Sequence, residues 1–220
     1  MVNTQIGQGM RGSRFRAPLA VAVAATAVAA DFVLVLLQAG TDANRMLLAL
    51  LSLSVLFLIT RDRGRSLGLV LRLHPNYVYW AKAAVAIGAV VGVFCAIAAI
   101  VIWKLGIPAE MPRAAPESVP SRLVHMCVVA PFLEETLYRV VLCAPLAAVV
   151  GTRWTIFLAG AVFAGLHFAY GNPGPDNFIA GFFLAWAYLK SGSIVTPIVL
   201  HSMGNGVALA AQVVAWWTCT

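Results

Sequence analysis

Apolar residues run along this chain in long blocks, separated by short connectors that hold much of its arginine and proline. A block of about 20 apolar residues is what a helix needs to cross a bilayer. The pattern predicts a first span over Pro18–Ala39, a second over Ala43–Thr60, and a third between Tyr77 and Trp103. Residues 122–130 form an apolar stretch too short to span, read as stopped at Pro131. A fourth span is expected over Pro131–Val150, a fifth over Trp154–Phe168, a sixth over Asn177–Leu189 and a seventh over Ile194–Trp217. The expected fold is all-α, a polytopic transmembrane helix bundle of about seven to eight spans. It divides into a basic cytoplasmic tail (1–17), N-terminal spans with their connectors (18–121) and a core (122–217).

Composition supports the pattern. The chain is 61% hydrophobic and only 10% charged over 220 residues, against about 25% charge in soluble domains. The net charge of +7 does not point to nucleic acid, because the basic residues sit in connectors rather than on a polar domain. Arg11, Arg14 and Arg16 precede the first span, and Arg61, Arg63, Arg65 and Arg72 follow the second; both flanks suit the cytoplasm. Tyr77, Tyr79 and Trp80 at one end of the third span and Trp103 at the other read as interfacial belts. Residues 104–121, with Pro108, Pro112, Pro116 and Pro120, read as a connector. The Ala-rich run ending at Ala30 resembles a cleavage site, but apolar residues continue past it, so the first span is read as uncleaved. Cys95, Cys127, Cys143 and Cys219 show no C-x-x-C spacing and are read as small buried hydrophobes.

Few polar groups lie within the apolar blocks, and each is costly there unless paired or hydrated. They are Glu134, Glu135 and Arg139 in span four, His167 in span five, and His201 and Asn205 in span seven. Asp31 in span one has no evident partner. His74 and His125 are read as structural. Glu135 and Arg139 are four apart and stack on one helix face, where they can pair. Glu134 is turned away from that pair, and a carboxyl buried without a neighbouring cation suits a general base or acid near neutral pH. Phe163 and His167 are also four apart, as are His201 and Asn205. Taken singly, Glu-Glu often marks a solvated helix start, which Pro131 supports, and a lone His is more often a core residue than a catalyst. Carboxylates, two histidines and an amide together at lipid depth point to a function.

Three motifs result: Glu134-Glu135-Thr136-Leu137-Tyr138-Arg139, Phe163-Ala164-Gly165-Leu166-His167 and His201-Ser202-Met203-Gly204-Asn205. In order and spacing they resemble Glu-Glu-x-x-x-Arg, Phe-x-x-x-His and His-x-x-x-Asn/Asp of the CAAX prenyl protease and bacteriocin-processing (Abi) family of intramembrane proteases. The approach Gly192-Ser193-Ile194-x-x-Pro197 agrees too, and Val140 departs from a common Gly. The resemblance covers roughly residues 120–210. It implies an intramembrane peptidase in which Glu134 and His167 activate a water, His201 and Asn205 donate to the oxyanion, and Glu135, Arg139 and Phe163 support the site. It implies a membrane-anchored protein or peptide as substrate. No cofactor is the favoured expectation; zinc on Glu134, His167 and His201 is the alternative. A transporter or proton relay would use the same buried groups. The Ala-rich spans and basic loops fit a bacterial inner membrane. One depth mismatch stands: Asn205 lies about 18 Å into span seven at helical rise. Convergence requires Glu134 to sit deeper than Pro131 implies, or residues 190–197 to dip into the membrane.

Overall fold

In lipid every backbone N–H and C=O must be satisfied within the protein, and a helix does this within one segment. The computed structural model describes residues 6–10, 16–61, 63–71, 74–107 and 112–219. Among these, seven long helices follow one another: α1 (Arg16–Leu36), α2 (Asp42–Ile59), α3 (Tyr77–Lys104), α4 (119–149), α5 (Gly151–Ala169), α6 (Pro175–Ser191) and α7 (Val195–Cys219). Of these, α1, α2, α3 and α7 are long and apolar enough to cross a membrane. In α4 the site residues interrupt the apolar run. Much of the basic tail, and also Arg72 and Pro108, lies outside the described residues.

The arrangement of polarity is inverted relative to a soluble protein. Leu47, Leu50, Leu51 and Leu58 of α2 and Val85, Val93 and Ile97 of α3 face outward, while Asp31, Arg45, Glu134, Glu135 and Arg139 are buried. Lipid accounts for the first and mutual pairing for the second. In α1 the buried positions Ala20, Ala24, Ala27, Asp31 and Val35 form one stripe. In α2 Arg45, Ala49, Ser52 and Leu56 form another, each at the three-to-four spacing of a helix face. Thr41 caps α2, its hydroxyl accepting from Asn44 N at 3.3 Å. α3 stands at the edge of the bundle. Trp80 is its only buried residue, and it is no lipid-facing belt residue: its ring packs on Trp186 at 5.5 Å and its indole N–H donates to His74 O at 2.9 Å. Tyr77 and Trp103 are exposed, as an interfacial belt requires.

Pro131 does not stop a helix. α4 runs continuously through residues 119–149, and 122–130 belong to it. Two π segments, His125–Val129 and Thr136–Cys143, lie within it, and each ends two positions before a proline, Pro131 or Pro145. After each, the N–H reaches back five residues: Ala130 to His125 O and Ala144 to Arg139 O. A proline supplies no N–H, and the wider π turn shifts the hydrogen-bond register around that gap. Glu134 therefore sits mid-helix, the first of the two ways in which the depth mismatch could resolve.

α5 and α6 pack closely in a hairpin, with small residues at the contact. A Cβ on Gly181 would lie 2.9 Å from Phe163 Cβ and 3.0 Å from Gly160 O. Gly192, at φ +68°, ends α6 in the left-handed conformation that glycine adopts without strain. The following loop is tied to the α2–α3 connector by Ile194 N to Gly68 O at 2.9 Å and by the Ser193 hydroxyl to Val70 O. Tyr188 OH donates to Leu67 O at 2.9 Å.

Candidate active site

Helical spacing puts Glu135 and Arg139 on one face of α4, and they pair there at 2.7 Å, both fully buried. The Arg139 guanidinium also stands over the Phe163 ring of α5, 5.0 Å from its centre. From α7, His201 Nδ1 lies 2.9 Å from Glu135 Oε1. A carboxylate held by a guanidinium only accepts, so His201 donates through Nδ1 and turns Nε2 toward Glu134. That nitrogen is 3.9 Å from Glu134 Oε2.

Glu134 is buried, and it does have a cation beside it: Arg45 Nη1 lies 3.6 Å from its Oε1. The sequence reading of a carboxyl without a cation is corrected here. Arg45 is itself held by both oxygens of Asp31, Nε to Oδ1 at 2.7 Å and Nη2 to Oδ2 at 3.0 Å. Tyr138, four residues beyond Glu134, donates its hydroxyl to Asp31 Oδ2 at 2.5 Å. Asp31 is thus not isolated, and two-point pairing of this kind fixes both side chains. Sequence reasoning missed Arg45 altogether. The signal was present in the α1–α2 hairpin: Asp31 and Arg45 lie equally far on either side of Gln38, the turn residue with a positive φ of 56°. One oxygen, Glu134 Oε2, is buried with no hydrogen-bond partner. An acceptor of this kind, buried in a low-dielectric bundle, costs free energy until something donates to it.

His167 lies in the last turn of α5. Its Nδ1 is 3.0 Å from Phe163 O; a carbonyl only accepts, so Nδ1 carries the proton and a neutral ring presents Nε2 as a base. The Phe163 ring joins the two histidines, 4.4 Å from His167 and 6.0 Å from His201 between ring centres. Among the described residues no hydrogen bond links His167 to Glu134. Asn205, one turn beyond His201, donates from Nδ2 to Met126 O at 2.7 Å. The π segment explains why that carbonyl is open. Ala130 N–H is engaged by His125 O, and Pro131 has no N–H to offer. His125 pairs with Asp42 at 3.2 Å, both about half exposed. Cys143 is buried, and Cys95 and Cys127 are partly so.

Glu134, Glu135, Arg139 and His201 are thus in direct polar contact, His167 reaches them across Phe163, and Asn205 is turned to α4. Among the described residues no three His, Cys, Asp or Glu side chains converge on a metal position.

Residues 116–207 match the family model described as Type II CAAX prenyl endopeptidase Rce1-like. The segment holds all three motifs, and the resemblance they carry holds over it. At family level the match supports an intramembrane endopeptidase, a hydrolase with a membrane-associated protein substrate. With four helices long and apolar enough to span, it makes the chain an integral membrane protein. Asp31 and Arg45 lie outside the matched residues. No curated protein and no solved structure matches the chain.

Proposed function

We propose that this chain hydrolyses a peptide bond of a membrane-associated protein or peptide with a water activated by Glu134 and His167. The observation that carries the proposal is Glu134 Oε2, a buried carboxylate oxygen with no hydrogen-bond partner, 3.9 Å from His201 Nε2. A water bonded to it and to His167 Nε2 would lose a proton to this pair as its oxygen adds to the scissile carbonyl. The C–N bond then breaks, and the same proton passes to the leaving nitrogen. One water is consumed, an acid and an amine are released, and no covalent enzyme intermediate forms.

The oxyanion needs donors. His201 Nδ1 is committed to Glu135, so donation from Nε2 requires the imidazolium. Charge balance supports that form: Asp31, Glu134 and Glu135 face two guanidiniums, Arg45 and Arg139, and one further proton neutralises the cluster. Asn205 keeps its second amide N–H for the oxyanion, since only one is needed at Met126.

The reading is metal-free. What supports it is Arg45, whose guanidinium stands 3.6 Å from Glu134 where a divalent cation would be repelled. The test is mass spectrometry of membrane peptides from cells expressing wild type, Glu134→Ala or His167→Ala. Products present with wild type should vanish with both variants; a product that persists with Glu134→Ala contradicts the proposal.

A further inference from the structure

We propose that the groove between α3 and α6 holds one anionic phospholipid, with an acyl chain along its apolar length and the phosphate against Lys82. None of the residues lining the groove belongs to the candidate active site, and the proposal does not depend on the endopeptidase reading.

α3 touches the bundle near its start. The Trp80 ring packs on Trp186 of α6 at 5.5 Å, and the Lys190 amine at the end of α6 stands 5.8 Å from the centre of the Tyr79 ring. Beyond these contacts Lys82, Ala83, Ala86, Ile87 and Val90 follow one another at alternating steps of one and three, which places them on one helix face. Opposite that face stand Phe182, Phe183 and Trp186, and a cavity of about 660 Å³ lies between the two rows. The two alanines leave the room, and the aromatic rings form the far wall.

Length and shape point to a lipid. The volume is in the range that small ligands fill. From Tyr79 to Val90 is roughly 17 Å at helical rise, close to half of a hydrocarbon core about 30 Å thick, which is the reach of acyl chains from one leaflet. A second cavity, of about 490 Å³, opens at the start of α3 and is lined by polar groups of Asn76, Tyr77, Tyr79 and Lys82. Tyr79 and Lys82 line both cavities. A polar chamber joined to an apolar groove suits a molecule with a head and a tail.

Charge selects the head. The Lys82 ammonium and the two tyrosine hydroxyls can donate into the chamber, and so can the Asn76 amide, whose oxygen already accepts from Tyr79 N at 2.8 Å. No carboxylate lines either cavity, and among the described residues no ion pair includes Lys82. A lysine inside the first turns of an apolar helix is costly unless its head reaches the interface, and basic pockets between membrane helices take anionic headgroups there. A lipid phosphate supplies the counter-charge that the protein withholds. A zwitterionic lipid carries its own ammonium, which competes with Lys82 for that phosphate.

The test titrates the full chain, purified in detergent and stripped of lipid, with phosphatidylglycerol or with phosphatidylcholine of the same acyl chains. Native mass spectrometry counts the lipids held per chain, and the thermal midpoint is followed in parallel. One phosphatidylglycerol should be retained per chain and raise the midpoint, with phosphatidylcholine held several-fold more weakly. Lys82→Gln, at an exposed position, should weaken phosphatidylglycerol about fivefold, the worth of one lysine at an anionic headgroup, and leave the lipid-free midpoint unchanged. Lys104→Gln, at the other end of α3, should not change the affinity. Ala86→Trp, which fills the groove, should abolish the retained lipid; if that variant does not fold, the two lysine variants decide. Equal affinity for the two lipids, or equal loss from the two lysine variants, overturns the proposal. So does the same stabilisation by inorganic phosphate alone, or the appearance of paired chains in place of a lipid adduct.

Discussion

Arg45 is the counter-charge shared by Asp31 and Glu134, and its loss would leave two buried carboxylates with one fewer partner each. Breaking a buried pair costs about 3–5 kcal/mol because the remaining charge is stranded. Arg45→Met should therefore lower the thermal midpoint of the detergent-purified protein sharply. Asp31→Asn combined with Arg45→Met should lose less than the two single losses added, because the residues share one network. Additive losses would show that the 2.7 Å pair is energetically idle. The motif residues were legible in the sequence because their spacing is local: four residues on a helix define a face. Asp31–Arg45 was not, because the pair joins two helices, and hydropathy alone places no residue opposite another.

At the scale of elements the seven helices were legible and one boundary was not. A proline within an apolar run ordinarily stops or kinks a helix, and Pro131 does not stop this one: a π turn precedes it and Asn205 on α7 takes up the carbonyl left open. That compensation comes from a distant residue and leaves no local trace. Asn205→Ala should cost about 1–3 kcal/mol, the penalty of leaving the half-buried Met126 carbonyl unpaired. The loss should shrink in a Pro131→Ala background, where a backbone N–H returns next to Met126 O; an equal loss in both backgrounds would refute the compensation. The α5–α6 contact makes a second claim. Gly181→Val would drive its side chain into Phe163 and the Gly160 carbonyl, displacing the ring that joins the two histidines. Cleavage should fall at least tenfold, with a lower thermal midpoint, whereas the exposed Gly88→Val, with open space around it, should leave both unchanged.

For the molecule as a whole, the apolar exterior and the charged interior form one arrangement. Lipid holds the outside, and the neutralised cluster of Asp31, Arg45, Glu134, Glu135, Arg139 and His201 holds four helices around a site. A zinc enzyme loses activity when its metal is withdrawn, so cleavage that survives exhaustive chelation is the expected outcome for this site, and restoration by added zinc would reverse that conclusion. The central claim is that a water activated at Glu134 cuts a peptide bond. It is tested most directly by incubating membranes that contain wild type or Glu134→Gln in oxygen-18 water and sequencing the new carboxyl termini by mass spectrometry. The account predicts new termini carrying oxygen-18 with wild type and none with Glu134→Gln at equal protein abundance; the same labelled termini from both proteins would contradict it.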